Sequence, residues 1–248
     1  MDGNSVNAAV LVIGDEILSG RTRDANSHYI AHYLLQLGVE TREIRVVPDV
    51  EDEIVAALNA LRARYDYVFT TGGIGPTHDD ITADAVAKAF GVGISEDPRA
   101  IALLLERIKP EDLNEARRRM ARIPDGAELV LNPISKAPGF WIGNVVVMAG
   151  VPPVMQAMLD EVAPKLVKGA VIVSETIDAH GLPEGAYAEG LGVLAKEMPG
   201  VAIGSYPRLI DGKFVNQIVL RSKDAEALAR GAARVRDMLK ETAARHRL

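Results

Sequence analysis

The 248-residue chain contains no cysteine, so disulfides and thiolate metal sites are excluded outright. Aromatic residues are scarce at 4%, which removes base stacking on a platform of rings as an organising theme. Positive charge is also in deficit: 28 Lys and Arg against 34 Asp and Glu leave a net charge of -6, unlike a general nucleic-acid or membrane-surface binder. No apolar stretch approaches the roughly 20 residues needed to span a bilayer. Met1 to Asn7 is polar and lacks the cationic and apolar segments of a secretory signal. Neither nucleic acid nor membrane is therefore an expected partner, and the cytoplasm is the expected compartment. What is present, 48% hydrophobic and 25% charged residues, suits a globular protein with a sizeable core, in one large or two modest domains.

The densest local signal lies between Asp66 and Thr82. Tyr67 to Thr71 reads as a strand, Gly72-Gly73-Ile74-Gly75-Pro76 as a tight turn, and Ile81, Ala85, Val86 and Phe90 as one face of a helix. Glycines let a ligand approach the backbone closely, and a helix N-terminus offers unpaired N–H groups to an anion such as phosphate. Asp79 and Asp80 stand at the same mouth. A carboxylate about 4 Å from a phosphate is repelled by roughly 4 kcal/mol at an effective dielectric near 20. A divalent cation bridging the two reverses that sign.

Ala8 to Ile13 is an unbroken apolar run, as expected of a strand buried on both faces, and it ends in the turn Gly14-Asp15-Glu16. A loop follows to Ala25, then a helix with Ile30, Tyr33, Leu34 and Leu37 on one face, for which Asp24 or Asn26 can serve as cap. Glu40 to Val47 reads as a second strand, and Asp49 is placed to cap a helix bearing Ile54, Leu58 and Leu61. Strand, helix, strand, helix, strand predicts a parallel sheet with helices on both faces, and ligands of such sheets bind beyond the carboxyl ends of the strands. Asp15, Glu16, Asp49 and the loop from Gly72 to Asp80 all follow strand ends, so one crevice can collect them.

Asp97 to Arg122 reads as two helices broken at Lys109-Pro110. Its cluster Arg117, Arg118, Arg119 and Arg122 is either a solvated face pairing with Glu111, Asp112 and Glu115, or a clamp for a partner or phosphate. Glu128 to Leu131 and Phe140 to Ile142 are short strands, and Gly143-Asn144 turns the second into Val145 to Ala149. A helix follows from about Val154 to Leu166 with prolines at its start. From Gly169 the order becomes strand (to Ile177), helix (Glu184 to Glu197), two strands (Val201 to Tyr206, Phe214 to Leu220) joined through Asp211-Gly212, and a long helix from Ala225 to Ala243. The expected domains are 1–168, α/β, and 169–248, a small α+β module.

The set Gly14-Asp15-Glu16-Ile17-Leu18-Ser19-Gly20, Asp24-Ala25-Asn26-Ser27, Pro48-Asp49, Thr71 to Thr82, Ala137-Pro138-Gly139-Phe140 and Gly150-Val151-Pro152 resembles the competence/damage-inducible protein A family. The resemblance implies a three-layer, parallel-dominated α/β domain of molybdopterin-binding type followed by a small α+β, KH-like module. It implies a small phosphorylated ligand, nucleotide or pterin, with molybdopterin itself a candidate, and a homo-oligomer. It further implies metal-dependent hydrolysis of a nucleotide pyrophosphate such as ADP-ribose. The alternatives are a pterin or nucleotide binding module without turnover and an adenylyltransferase acting on molybdopterin.

Carried onto this chain, the resemblance makes Asp80, Asp49 and Asp79 the catalytic candidates, and Asp15, Asp79 and Asp80 the candidates for holding Mg²⁺, Mn²⁺ or Co²⁺. Ligand contacts are expected from Gly72, Gly73, Gly75, Pro76, Thr77 and His78, from Ser19, Gly20, Arg21 and Asn26, and from Pro138, Gly139, Gly150 and Pro152. Ser19 has no G-x-S-x-G elbow around it and is not expected as a nucleophile. His28 and His32 lack the HExxH arrangement and read as surface or packing residues, and Gly181 to Gly185 lacks the GXXG clamp of an RNA-binding KH module. Two departures stand out: an amidase domain found in longer relatives does not follow Leu248, so that activity is not expected, and Val154 occupies a position where the family usually carries glutamate.

Overall fold

The computed structural model describes residues 5–210 and 213–246. It separates into two compact units, Met1–Gly169 and Ala170–Leu248. Among the described residues no helix is long and apolar enough to cross a membrane.

The first unit opens with β1 (Val6–Ile13), α1 (Asp15–Leu18), α2 (Asn26–Gln36), β2 (Val39–Val47), α3 (Glu51–Arg62), β3 (Tyr67–Thr71) and α4 (Thr82–Phe90). There follow β4 (Ile94–Glu96), α5 (Pro98–Leu105), a 3-10 turn at Pro110–Asp112, α6 (Glu115–Arg119), β5 (Arg122–Pro124), β6 (Glu128–Val130), β7 (Gly139–Ile142), β8 (Val145–Met148) and α7 (Pro152–Val162). Six strands form one sheet in the order β2-β1-β3-β8-β7-β6, in which β2, β1, β3 and β8 pair parallel and β7 alone is reversed, pairing antiparallel with β8 and with β6. The fold is thus a mostly parallel sheet between helical layers.

The apolar run of β1 is unbroken because each face is covered by different helices. Ala9, Leu11 and Ile13 pack into a core with Ile54, Leu58 and Leu61 of α3 and Ala85 and Val86 of α4. Val6, Ala8, Val10 and Val12 face Ile30 and Leu34 of α2 and Met155, Met158 and Leu159 of α7. The alternation follows from the two-residue period of a strand. At about 25 cal/mol per Å² of apolar surface removed from water, each such buried side chain contributes roughly 1.5–3 kcal/mol, which holds the strand ends in register. β2 lies at the sheet edge, where Ile44 stays 47% exposed.

Two local expectations change. The turn Gly14-Asp15-Glu16 continues as the four-residue α1 instead of a loop, and Asp97 to Arg122 is not a simple helix pair. α5 begins at Pro98 with Asp97 Oδ1 accepting from the Arg99 N–H at 2.7 Å. The segment's flanks form the antiparallel ribbon β4–β5, in which Ser95 pairs with Ile123.

The second unit runs β9 (Val173–Asp178), α8 (Glu184–Glu197), β10 (Ala202–Ile210), β11 (Lys213–Ser222) and α9 (Ala225–His246). Its antiparallel sheet has the order β10-β11-β9, and its own core joins Ile177, Tyr187, Leu194, Ile218, Leu220 and Val235. The turn expected at Asp211-Gly212 lies outside the described residues.

Candidate functional site

Side-by-side parallel strands bring their carboxyl ends to one edge of the sheet, and the loops leaving β1, β2, β3 and β8 meet there. The Gly14 N–H donates to Val47 O at 3.1 Å and the Gly72 N–H to Met148 O at 3.2 Å, so neighbouring strand ends are tied across the edge. The loops enclose a cavity of about 530 Å³ lined by Gly14, Glu16, Thr22, Asp49, Gly72 to Gly75, Asp79, Asp80, Asn132, Ser135 and Gly150 to Pro152 among others.

The cavity floor needs glycine. Gly72 has φ +108, and a Cβ there would lie 2.1 Å from the Ile13 carbonyl oxygen. Gly73 has φ +67, and its Cβ would lie 2.1 Å from Thr82 Oγ1. Thr82 closes the turn: its hydroxyl donates to Gly72 O at 3.0 Å and its N–H to Gly73 O at 3.0 Å. Opposite, the Asn26 amide donates from Nδ2 to Thr71 Oγ1 at 2.8 Å and to Gly150 O at 2.7 Å, and the Thr71 hydroxyl donates to Ala149 O at 2.9 Å. Since Gly150 O is only an acceptor, the amide orientation is fixed, and Oδ1 is left buried without a protein partner.

Four carboxylates, Glu16, Asp49, Asp79 and Asp80, line the cavity, and no lysine or arginine does so among the described residues. Asp49 does not cap α3, whose start at Val50 has no side-chain cap. Its Oδ2 instead accepts the Asp15 N–H at 2.9 Å, at the start of α1. Burial raises the Asp49 carboxyl above its usual range; the Asp15 N–H opposes this, and the charges of Asp15, Glu16 and Asp79 add to the rise. Neither Asp79 nor Asp80 caps α4, which begins after Ile81 without a side-chain cap. Asp80 Oδ2 accepts both the N–H (2.8 Å) and the hydroxyl of Thr77, so the Thr77 N–H is already taken and Asp80 is partly committed to shaping its own loop. Asp79 is held below the ordinary carboxylate range, first by the Thr77 hydroxyl, although that single proton is aimed geometrically at Asp80.

The remaining expected residues divide. Gly72, Gly73, Gly75, Gly150 and Pro152 line the cavity. Pro138 lies behind the Gly73–Gly75 loop against a smaller void. Gly139 is a strand residue of β7, where a Cβ would meet Val147 O at 2.2 Å, so strand packing accounts for it. Asn26 is a buried strut between strand ends. Ser19, Gly20 and Arg21 are exposed on the connection from α1, and Pro76, Thr77 and His78 are exposed at the turn; none of the six lines the cavity. Asp15 contributes its backbone N–H and its charge beside Asp49.

Sequence reading missed Thr22, Asn132 and Ser135, which approach only through tertiary folding. Asn132 had a detectable signal: its Oδ1 accepts the N–H groups of Ile134 and Ser135, the Asx-turn habit of asparagine in Asn-Pro. The arginine cluster does not make the side-chain pairs expected with Glu111, Asp112 and Glu115. Arg118 pairs with Glu96, Arg122 grips Asp84 through both nitrogens at 2.8 and 2.6 Å, Arg117 donates to the Asp112 carbonyl, and Arg119 donates to the Asp80 carbonyl.

Like charges crowd around Asp49, and among the described residues no group of three or more His, Asp or Glu side chains is placed to hold a metal ion.

Residues 9–168 match the family model described as "Probable molybdopterin binding domain", and residues 172–247 match "FAD synthase, middle domain". A protein of Caldivirga maquilingensis is 34% identical over 251 aligned residues, spanning 97% of this chain and 96% of that one. A "CinA-like protein" of Citrifermentans bemidjiense is 40% identical over 74% of this chain and 47% of its own length. The crystal structure of the protein CinA with unknown function from Thermoplasma acidophilum superposes with a TM-score of 0.63 and 35% identity, covering 66% of this chain and all of that one.

Proposed function

The chain belongs to the molybdopterin-binding domain family, in its CinA-like branch, and from that membership we propose that the cavity takes a phosphorylated nucleotide or pterin and hydrolyses a pyrophosphate bond such as that of ADP-ribose. The observation that carries the reading is the convergence of Glu16, Asp49, Asp79 and Asp80 with the glycine floor in one cavity. Without a cation, each of these acids about 4 Å from a phosphate repels it by roughly 4 kcal/mol, so the ligand enters with a divalent ion.

Asp79 and the Oδ1 of Asp80 would hold such an ion, which leaves Asp49 as a base, with the charge of Asp15 beside it. When bound, the ion polarises phosphoryl oxygens and acidifies water. The chain's own chemistry is proton transfer and positioning. Asp49, its proton affinity raised by burial, is the better base; Asp80 is engaged by Thr77. As water oxygen bonds to phosphorus, its proton passes to Asp49, and the bridging oxygen departs with one of the two phosphate esters. Gly72, Gly73 and Gly75 carry no side chain and so let a phosphate approach the backbone closely, beside Ile74, which lines the same cavity.

The test is an assay of ADP-ribose and FAD with and without Mg²⁺, Mn²⁺ or Co²⁺, alongside Asp49→Asn. A metal-dependent phosphate-ester product lost in the variant supports the reading. Absence of product with all three ions rejects turnover. The apolar side chain of Val154 in the cavity wall favours a second reading, ligand binding without hydrolysis. Calorimetric uptake of ADP-ribose without product selects that one.

A further inference from the structure

The turn that carries Asp79 and Asp80 is exposed on its outer side, and most of its bonds are made within itself: the Thr77 N–H to Asp80 Oδ2, and the Asp80 N–H to Thr77 O at 3.2 Å. Among the described residues one hydrogen bond reaches it from a distant segment. Arg119, the last residue of α6, donates from Nη2 to the Asp80 carbonyl oxygen at 3.3 Å across 39 residues of sequence. Its Nε is buried and has no acceptor. The surrounding space, bounded by Gly73, Ile74, Gly75, Asp84 and Phe140, leaves about 10 Å³, at the lower limit for a single water. Gly73, Ile74, Gly75, Asp80 and Met120 line both this void and the acidic cavity, so the guanidinium sits directly behind the loop that faces the ligand.

A second arginine ties the same segment to α4. Arg122 holds Asp84, in the first turn of α4, through two hydrogen bonds of 2.8 and 2.6 Å. Asn114 Oδ1 accepts the Arg117 N–H at 3.0 Å and starts α6. The helix is thus capped at its start, and the segment is tied to α4 at its β5 end, three residues beyond Arg119. Arg119 and Arg122 line this void, whereas among the described residues no lysine or arginine lines the acidic cavity.

We infer that Arg119 is a positioning residue for the acidic site: it latches the Asp80 carbonyl from behind and holds the Gly73–Asp80 loop in the arrangement that presents Asp79 to the ligand. The inference rests on the reading of the cavity as a phosphorylated-ligand site. It assigns to one arginine of the cluster a role that the solvated-face reading does not contain. Arg119 does not touch the ligand; it acts through the loop.

The experiment uses the full chain and three variants: Arg119→Met, which keeps the apolar stem and removes the donors, Arg119→Lys, and Arg117→Met as a control on the same helix. Amide exchange is followed residue by residue, and ADP-ribose with Mn²⁺ is titrated calorimetrically. In Arg119→Met the Thr77 and Asp80 amides should exchange about tenfold faster while β1 and β3 stay unchanged. The dissociation constant should rise about ten- to hundredfold, as for a lost charge-assisted hydrogen bond. Arg119→Lys should recover part of both effects, and Arg117→Met should match wild type. Wild-type exchange at Thr77 and Asp80 in Arg119→Met overturns the latch, as does acceleration spread through β1 and β3 or an equal effect of Arg117→Met. If the wild-type protein takes up no ADP-ribose, the ligand reading fails, and the exchange comparison still decides the latch.

Discussion

The backbone N–H of Asp15 donates a 2.9 Å hydrogen bond to Oδ2 of Asp49, joining residues 34 apart in sequence. The bond ties the exit of β2 to the start of α1 and holds a carboxylate within reach of the charges of Asp15, Glu16 and Asp79. Asp49 thus caps a helix other than the one that follows it.

This geometry sets a pH dependence. Burial and then, against the pull of the Asp15 N–H, three like charges raise the Asp49 carboxyl in the folded protein. The folded chain then binds that proton more tightly than the unfolded one. Stability therefore falls as pH rises from the ordinary carboxyl range through the raised value, and the ionised form carries the full penalty above it. Asp49→Asn removes the charge and keeps an acceptor for Asp15. At pH 7 its thermal midpoint should equal or exceed that of wild type, and the difference should vanish below about pH 4. Turnover, where measured, should fall about 10²–10⁴-fold, the usual contribution of a general base. A gain in midpoint that persists undiminished in acid would mean the charge is not its origin.

The two floor glycines should differ in cost. At Gly72 a methyl group meets a backbone carbonyl, Ile13 O, at 2.1 Å, and β1 cannot move away without losing its pairing with β2 and β3. At Gly73 the obstacle is the Thr82 hydroxyl, which can rotate if it surrenders its bond to Gly72 O. Gly72→Ala should destabilise by about 3 kcal/mol or more, and Gly73→Ala by about 1–3 kcal/mol. Urea denaturation followed by circular dichroism measures both; the reverse order would show that the β1 backbone yields more readily than the hydroxyl.

Asn26→Ala should destabilise without exposing any new apolar surface. It leaves one lone pair of the buried Thr71 Oγ1 without its donor, while the Gly150 carbonyl, on an exposed residue, can turn to water, a loss of about 1–2 kcal/mol. Asn26→Asp should cost more at neutral pH than Asn26→Ala, because a carboxylate oxygen then faces the Gly150 carbonyl oxygen. Thermal denaturation of the pair at pH 7 checks the ordering. An Asp variant as stable as wild type would indicate that Gly150 has turned its carbonyl away.

The main sheet was readable in sequence wherever one local period decided the outcome. Ala8 to Ile13 announces a doubly covered strand, and Ile54, Leu58 and Leu61 announce a helix face, since burial of these side chains is what the pattern encodes. The strand ends then gather Asp49, Asp79 and Asp80 because parallel strands place their exits side by side. Bonds made over long sequence separations were not readable. Asp49 precedes α3 as a cap would, but nothing local reveals that the Asp15 N–H competes for it. The three-residue strands β4 and β5 are too short for alternation to register. Arg119 is indistinguishable in sequence from Arg117 and Arg118, and only the tertiary fold sets it behind Asp80.

Val154 tests the acidic site from the first turn of α7. It lies in the first turn of α7, after Pro152 and Pro153, 9% exposed and lining the cavity. A glutamate there, the residue usual in the resembling family, gains from the helix N-terminus by about 0.3–1 kcal/mol. It also brings a fifth carboxylate toward Glu16, Asp49, Asp79 and Asp80. Without metal, the added repulsion should lower the thermal midpoint of Val154→Glu. With Mn²⁺ the sign reverses, because the ion meets one more negative charge. The Mn²⁺ affinity should rise about tenfold, only about 1.4 kcal/mol, and saturating Mn²⁺ should restore the midpoint. Calorimetry and thermal scans with and without Mn²⁺ read both effects. A folded variant whose Mn²⁺ affinity matches wild type would show that position 154 does not face the ion, and would separate the apolar wall from the carboxylates of the cavity.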